Sequence, residues 1–456
     1  MFSSIKRVHF VGIGGIGMSG IAEILLNQGF SVTGSDLVKS ENTEYLEEKG
    51  AKVCIGHKAE NVEGAEVVVY SSAVNPADNV ETVEADHRNI PLIRRAEMLA
   101  QVSWLNYCLA VSGTHGKTTT TSIIGLILIK AGIDPTIIVG GRLRDFGGTN
   151  ARLGEGDWTV VEADEFDRSF LQLSPTIAVI NNIEEEHLDI YKDFDDLKQT
   201  FTQFANKVPF YGVVAVGLDD PGVGDILSDV NKKIVSFGLS PHCDYYSDDY
   251  ELNLNSIKFS VMEKGENIGR FEINIPGEHN LKNTLGAIAV ARTMGIETEV
   301  IKNALEDFHG IFRRFDIKGE KNGVLIVDDY AHHPSEVKET LAAARSGWKR
   351  RVVCVFQPHT FTRTKQFYKE FARSFFDADI LVVTDVYPAR EKPVEGVTGK
   401  LISDSARQFG HKSVMYIENK NDLPKELRKI LKEGDILLTL GAGDIYKVAD
   451  ILADIK

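Results

Sequence analysis

The stretch Cys108-Leu-Ala-Val-Ser-Gly-Thr-His-Gly-Lys-Thr-Thr-Thr-Thr-Ser122 decides the fold. Its apolar head, Cys108 to Val111, reads as a buried strand, Gly113 and Gly116 bracket a tight loop, and a helical pattern runs from Lys117 to Lys130. Strand, small-residue loop and helix in that order make a phosphate-binding turn. Backbone amides between Gly113 and Gly116 point inward, the helix N-terminus adds partial positive charge, and Lys117 and Thr118 supply an ammonium and a hydroxyl that can ligate Mg²⁺. The pattern G-x-x-x-x-G-K-[ST] is not met in full, because Val111 stands where its first glycine belongs. A structural turn can share this composition, but Gly-Lys-Thr between a strand and a helix favours nucleotide binding.

Outward from that loop, 456 residues suit about three domains at ~150 residues each. A net charge of −15 argues against nucleic-acid partners and anionic membrane surfaces, so any phosphate site must be a local pocket. The four cysteines, Cys54, Cys108, Cys243 and Cys354, are widely spaced, which suits buried free thiols in a reducing compartment. No run approaches eighteen apolar residues and the N-terminus lacks a signal-peptide layout. The expectation is a cytoplasmic protein without membrane insertion.

Upstream, a strand at 6–11 leads into Gly12-Ile-Gly14-Gly15-Ile16-Gly17 and a helix as far as Gly29, and a second strand ends at Ser35-Asp36. This is G-x-G-x-x-G in its structural context, with an acidic residue near the distance at which it can reach a ribose. A dinucleotide and a nucleoside diphosphate satisfy such an amide cradle equally. Strands at Lys52–Ile55, Val67–Tyr70 and Leu92–Ile93 complete the unit. Ser71 and Ser72 follow the second of these, as turn residues or as ligand contacts.

Downstream, strands at Thr136–Val139, Thr159–Val161, Ile177–Ile180, Val213–Val216 and Ile234–Phe237 continue the central unit. Two of them run into carboxylates, at Glu162-Ala-Asp164-Glu165 and at Glu184 to His187, and in a parallel sheet both edges flank the phosphate loop. Mg²⁺ takes hard oxygen ligands, and Glu162 comes straight off an apolar run. Glu184 to Glu186 also read as a solvated turn, and His187 as either a ligand or a surface histidine. A hairpin is expected at Lys258–Glu263 and Arg270–Ile275. Asn280 and Asn283 open the next helix on one face, where spacing alone favours capping over reading a base edge. The last unit carries strands at Val324–Val327, Arg351–Phe356, Ile380–Thr384, Val414–Ile417 and Ile436–Leu440. Polar clusters follow the first two, at Asp328 to His333 and Gln357 to Arg363, on strands expected to be neighbours. Two histidine-bearing strand ends suit zinc, but no further ligands are close in sequence, and Arg363 favours an anionic group. Gly441-Ala-Gly443 reads as a small anion nest or, the preferred reading, a tight turn into the final helix.

Taken together these residues resemble the Mur ligases of peptidoglycan precursor synthesis, over essentially the whole chain, and within them the branch that ligates L-alanine to UDP-N-acetylmuramate. The shortened loop Gly-Thr-His-Gly-Lys-Thr-Thr explains the missing first glycine. The resemblance implies an α/β protein of three domains: an N-terminal Rossmann-like UDP-sugar-binding domain (1–107), a central P-loop ATPase domain (108–312) and a C-terminal Rossmann-like amino-acid-binding domain (313–456), with hinges near 108 and 312. It implies an ATP-dependent ligase that activates the lactyl carboxylate of UDP-N-acetylmuramate as an acyl phosphate. Mg²⁺ would be required, with Mn²⁺ able to substitute, and the enzyme would be a monomer or homodimer. It carries ATP contacts onto Gly113, Thr114, His115, Gly116, Lys117, Thr118, Thr119, Asn280, Asn283 and Arg314, overturning the capping preference for the asparagines. Metal ligation falls on Thr118, Glu162 and His187, and catalysis on Lys117, Glu162, His187, Arg314 and Asp329. UDP-sugar contacts fall on Gly12, Gly14, Gly15, Ile16, Gly17, Asp36, Ser71 and Ser72, and amino-acid contacts on Tyr330, His332, His359 and Arg363. One departure is the absence of the carbamylated metal-ligand lysine that several sibling ligases carry.

Overall fold

Runs such as Val-Leu-Ile-Val at 324–327 and Ile-Leu-Leu at 436–438 are apolar at every position, the pattern of strands buried on both faces of a parallel sheet. A computed structural model shows that arrangement in residues 5–103, 106–141, 149–186, 190–253, 255–389 and 391–454. The chain divides into two compact units. The first comprises Met1–Asp249, Phe259–Phe271 and Lys282–Phe308; the second comprises Tyr250–Lys258, Glu272–Leu281 and His309–Lys456.

In the first unit β1 (Arg7–Val11), β2 (Ser31–Asp36), β3 (Lys52–Ile55), β4 (Val67–Tyr70) and β5 (Leu92–Arg94) form an all-parallel sheet in the order β3-β2-β1-β4-β5. Helices α1 (Ile16–Asn27), α2 (Glu41–Glu48), α3 (Val80–His87) and α4 (Arg95–Ser103) connect these strands. Strand order reverses between β1 and β4, the switch point at which open α/β sheets bind ligands.

The central sheet is built on β6 (Tyr107–Ser112), which enters the phosphate loop ahead of α5 (Lys117–Lys130). With β7 (Thr136–Ile138), β8 (Ala151–Arg152), β9 (Trp158–Glu162), β10 (Ile177–Ile180), β11 (Val213–Gly217), β12 (Ile234–Gly238) and β13 (Tyr245–Tyr246) it runs β13-β12-β11-β10-β6-β9-β7-β8. The acidic-ended strands β9 and β10 therefore lie on either side of β6, as expected from sequence. Helices α6 (Phe194–Asn206) and α7 (Pro221–Ile226) follow β10 and β11, each capped by the aspartate before it, Asp193 and Asp220. After β14 (Tyr250–Leu252), the expected hairpin forms from β15 (Ile257–Glu263) and β16 (Glu266–Ile273), ahead of α8 (Glu278–Thr293) and α9 (Thr298–Glu306).

The second unit holds a six-stranded sheet of β17 (Asp316–Lys321), β18 (Val324–Asp329), β19 (Arg351–Phe356), β20 (Ile380–Val383), β21 (Val414–Tyr416) and β22 (Asp435–Leu440). Helices α10 (Pro334–Gly347), α11 (Phe361–Ser374), α12 (Gly399–Gln408), α13 (Leu423–Ile430) and α14 (Tyr446–Ala453) accompany it. Val327, Cys354 and Leu438 pack into one core, and Ile326, Val353 and Leu437 into another, so both faces are covered. Two features correct the sequence reading. Strands β18 and β19 are not neighbours, because β22 pairs in parallel with each and separates them. Strand β17, antiparallel to β18, escapes recognition because Asp316, Lys318, Glu320 and Lys321 make it polar and a register shift at Ile317/Gly319 interrupts its alternation.

Candidate active site

At the phosphate loop the glycines are required by their surroundings. Gly113 (φ 134°) is so close to the β10 end that a Cβ would lie 3.1 Å from the backbone nitrogens of Asn181 and Asn182; at Gly116 (φ 77°) it would lie 2.2 Å from Asn283 Oδ1. The carboxamide of Asn283 therefore rests against the loop. The loop is tied to the β10 end by the His115 amide donating to Asn182 Oδ1 at 2.7 Å and the Glu184 amide donating to Thr114 Oγ1 at 2.8 Å. Asn181 Nδ2 also donates to Thr120 Oγ1 at 3.0 Å, and His115 Nε2 lies 3.4 Å from Glu184 Oε2. Glu185 is exposed while Glu186 is buried, so the acidic turn is only partly solvated.

Lys117 is the centre of this arrangement. Its Nζ donates to the Gly113 carbonyl at 2.7 Å, to the Thr114 carbonyl at 3.2 Å, and to both oxygens of Glu165 at 3.0 and 2.8 Å. Burial pushes the ammonium's pKa down, but Glu165, Asp164 and Glu162 outweigh it and hold Lys117 firmly protonated. Glu165 is 1% exposed, and Tyr191 donates its hydroxyl to the Glu165 carbonyl. Nothing in the local sequence marks Glu165 apart from its acidic neighbours; the partner that distinguishes it stands beyond the end of the adjacent strand β6, 48 residues away.

Glu162 pairs in register with Val111, and its Oε2 accepts the Gly140 amide at 2.8 Å. Thr118 and Thr119 are buried in the first turn of α5. The Thr118 hydroxyl and Glu162 carboxylate are the hard oxygen donors that Mg²⁺ takes, and they stand on neighbouring elements, so this donor set fits that ion. His187 lies outside the described residues.

In the first sheet the glycine loop meets the β2 and β4 ends. Gly12 and Ile13 donate their amides to the Ser35 carbonyl at 2.8 and 3.0 Å, and Gly14 donates to Asp36 Oδ2 at 2.8 Å. Asp36 is thus engaged by the loop itself. Gly15 precedes α1, and the Ile16 carbonyl accepts bonds from Ser19 Oγ and Asn150 Nδ2. A Cβ on Gly17 would lie 2.8 Å from Arg95 Nη1, which sets a guanidinium beside the α1 N-terminus. Ser71 Oγ accepts the Ala73 amide at 3.3 Å, a turn contact, while Ser72 lines a cleft with Arg94, Arg95, Phe166, Asp167 and Ser169. Sequence reading missed Arg95, although two arginines at the end of a short strand were a signal for an anion site.

In the second unit Asn280 Nδ2 donates to the Pro276 carbonyl, a bond that caps no helix amide. Arg314 stands between two left-handed residues, Arg313 (φ 64°) and Phe315 (φ 44°), a strained backbone of the kind concentrated at functional sites. Asp329 holds that turn: its oxygens accept the Phe315 amide at 2.6 Å and the Ala331 amide at 2.7 Å. The Arg314 guanidinium lies 5.2 Å from the Tyr330 ring centroid and 3.6 Å from Glu336 Oε1. Beside it Arg313 bonds Asp328, whose carboxyl burial pushes up to about 6. Despite the intervening β22, the His332 and His359 rings come within 5.9 Å, and Tyr387 stacks on His359 at 5.7 Å. Gly441 and Gly443 pack closely against Gln357, just after the strand that separates the two histidine-bearing ends. Burial and the charge of Arg363 lower His359 to about 4, so it is neutral at neutral pH. Arg363 lies in the first turn of α11, where Glu391 accepts the Phe361 and Thr362 amides.

These sheets and this loop define a P-loop α/β protein with Rossmann-like sheets at its two ends. Residues 7–107 match the "Mur ligase family, catalytic domain", 111–291 the "Mur ligase middle domain" and 313–443 the "Mur ligase, glutamate ligase domain". The chain belongs to the Mur ligase family. It is 51% identical over 454 residues, all of this chain and 99% of the relative, to the UDP-N-acetylmuramate–L-alanine ligase of Geotalea daltonii. It is 50% identical to that of Salinibacter ruber, over 99% of this chain and 95% of the relative. Among solved structures it resembles the UDP-N-acetylmuramate-alanine ligase MurC of Thermotoga maritima, with a TM-score of 0.84, 29% identity and 98% of each chain covered.

Proposed function

We propose that the protein joins L-alanine to the lactyl carboxylate of UDP-N-acetylmuramate at the expense of ATP, a step of peptidoglycan precursor synthesis. The observation that carries this reading is a phosphate-loop lysine set between two carboxylate-ended strands, in a chain half identical along its whole length to UDP-N-acetylmuramate–L-alanine ligases. The lactyl carboxylate attacks the γ-phosphorus, ADP leaves, and the acyl phosphate is opened by the neutral amine of L-alanine with loss of inorganic phosphate. Lys117 and Arg314 offset charge on the transferring phosphoryl group, where positioning and electrostatics carry most of the catalysis. Thr118 and Glu162, with His187, would hold Mg²⁺, which when bound neutralises charge on the phosphate oxygens. Asn283 and Asn280 serve the adenine side.

The amides of Gly12 to Gly17, with Arg95 beside them, take the diphosphate of the UDP-sugar, and Ser72 lines the same cleft. Tyr330, His332, His359 and Arg363 take the amino acid, Arg363 pairing with its carboxylate while neutral His359 adds no competing charge. A domain for each substrate, divided near 108 and 312, belongs to this reading, as does a cytoplasmic monomer or homodimer acting on small molecules. No helix among the described residues is long and apolar enough to cross a membrane.

The test is phosphate release with ATP, UDP-N-acetylmuramate and one amine at a time. L-alanine should support turnover. Glycine and L-serine should be poor substrates, since a methylene is worth ~1–3 kcal/mol, and a tripeptide inert. Turnover with the tripeptide, or none with L-alanine, would refute the assignment.

A further inference from the structure

Residues alternate between the two faces of β1, and Val8 and Phe10 enter the core that includes Ile21 and Ile24 of α1. His9 therefore faces the opposite side, where Val11, Val62, Val68 and Ala85 make a small core. Within that apolar layer is a carboxylate. Glu81, the second residue of α3, is fully buried. Its Oε2 accepts Ser35 Oγ at 2.5 Å and lies 3.2 Å from His57 Nδ1 and 3.7 Å from His9 Nε2. Its Oε1 accepts Asn61 Nδ2 at 2.5 Å and the Lys58 amide at 3.2 Å. Burial pushes the Glu81 carboxyl up, but the nearby His9 ring and the bonds from Ser35 and Asn61 prevail and hold it at about 2.

The bonded groups come from the end of β2 and from the segment after β3, His9 of β1 stands near, and Glu81 itself lies in the first turn of α3, just after the loop that leaves β4. One carboxylate thus ties together the strand ends around the switch point of the first sheet. The link to the glycine loop is direct. Ser35, whose hydroxyl Glu81 takes, accepts the Gly12 and Ile13 amides on its carbonyl, and the next residue, Asp36, accepts the Gly14 amide. A leucine would fill the same space without the desolvation of a buried charge. A carboxylate with both oxygens bonded instead specifies one geometry for the groups that it joins.

We propose that Glu81 is a positioning residue for the diphosphate-binding loop, setting Ser35 and Asp36 and through them the amides of Gly12 to Gly17. This rests on the UDP-sugar reading of that loop. Glu81→Gln keeps the side-chain volume but turns an NH₂ group towards the donors of Asn61, Ser35 or His57. In the full chain it should raise the KM for UDP-N-acetylmuramate and the Kd for UDP about tenfold or more, leaving kcat and the KM values for ATP and L-alanine within about twofold. Val62→Ala, in the same core but without a polar link, should lower the melting temperature and leave the UDP-N-acetylmuramate KM unchanged. If Glu81→Gln does not fold, Ser35→Ala removes a single link and should raise that KM alone. A folded Glu81→Gln, or failing it Ser35→Ala, with a wild-type UDP-N-acetylmuramate KM overturns the proposal, as does a Val62→Ala variant with an equal rise. Failure of the unaltered chain to bind UDP would instead refute the UDP-sugar reading itself.

Discussion

Replacing Lys117 by alanine should damage stability as well as catalysis, because it strands Glu165. That carboxylate is 1% exposed and has both oxygens within 3.0 Å of the ammonium. Removing one partner of a buried pair costs about 3–5 kcal/mol. In a unit of this size each kcal/mol moves the melting midpoint by ~2–4 °C, so the first-unit transition should fall by roughly 6–20 °C. Glu165→Gln added to Lys117→Ala removes the stranded charge and should recover much of that loss, while turnover stays at least ~10²-fold below wild type. The pH dependence follows. In wild type the Lys117 pKa is raised, so the pair's contribution is complete below the unfolded lysine value of ~10.4 and is lost only as pH rises through the higher folded value. In the single variant the stranded Glu165 is relieved by taking a proton, so its gap from wild type should narrow as pH is lowered towards ~4.3. Scanning calorimetry and phosphate release on the three proteins test this. A single variant that melts with wild type, or a double variant no more stable than the single, would refute the pairing argument; near-normal ligation by a folded single variant would remove Lys117 from the site.

His359 is held near 4, below its unfolded value of ~6.5, so its contribution is present above ~6.5 and lost as pH falls through 4; His359→Gln should flatten a loss of roughly 3 kcal/mol in second-unit melting over that range. Gly116→Ala must place a methyl 2.2 Å from Asn283 Oδ1 on a left-handed backbone, and should weaken ADP binding by about tenfold or more in calorimetric titration; unchanged affinity would show that the loop rearranges freely. Glu162→Gln should shift the Mg²⁺ dependence of turnover to higher concentration, and an identical titration would return Glu162 to a structural role. Arg363→Ala should raise the KM for L-alanine strongly and that for UDP-N-acetylmuramate little, and equal effects on both would misplace the amino-acid pocket.

What the sequence determined by itself is local. The order strand, loop, helix at residues 108–130 and the apolar runs of β4, β10, β18 and β22 could be read because a strand's burial and a helix's start depend on neighbours a few residues away. The same holds for the glycine loop after β1 and the carboxylates that end β9 and β10. Tertiary structure alone decided who meets whom. The insertion of β22 between β18 and β19 follows from sheet assembly, which no single strand encodes, and polar β17 is a strand only because β18 offers it a ladder. Glu165 reaches Lys117 across 48 residues, Arg95 reaches Gly17 from another strand's end, and Glu81 collects donors from two separate segments. Such partners are chosen by the packing of distant elements into one core, where a buried charge must find its counterpart or not be buried at all, and that requirement leaves no periodic trace along the chain.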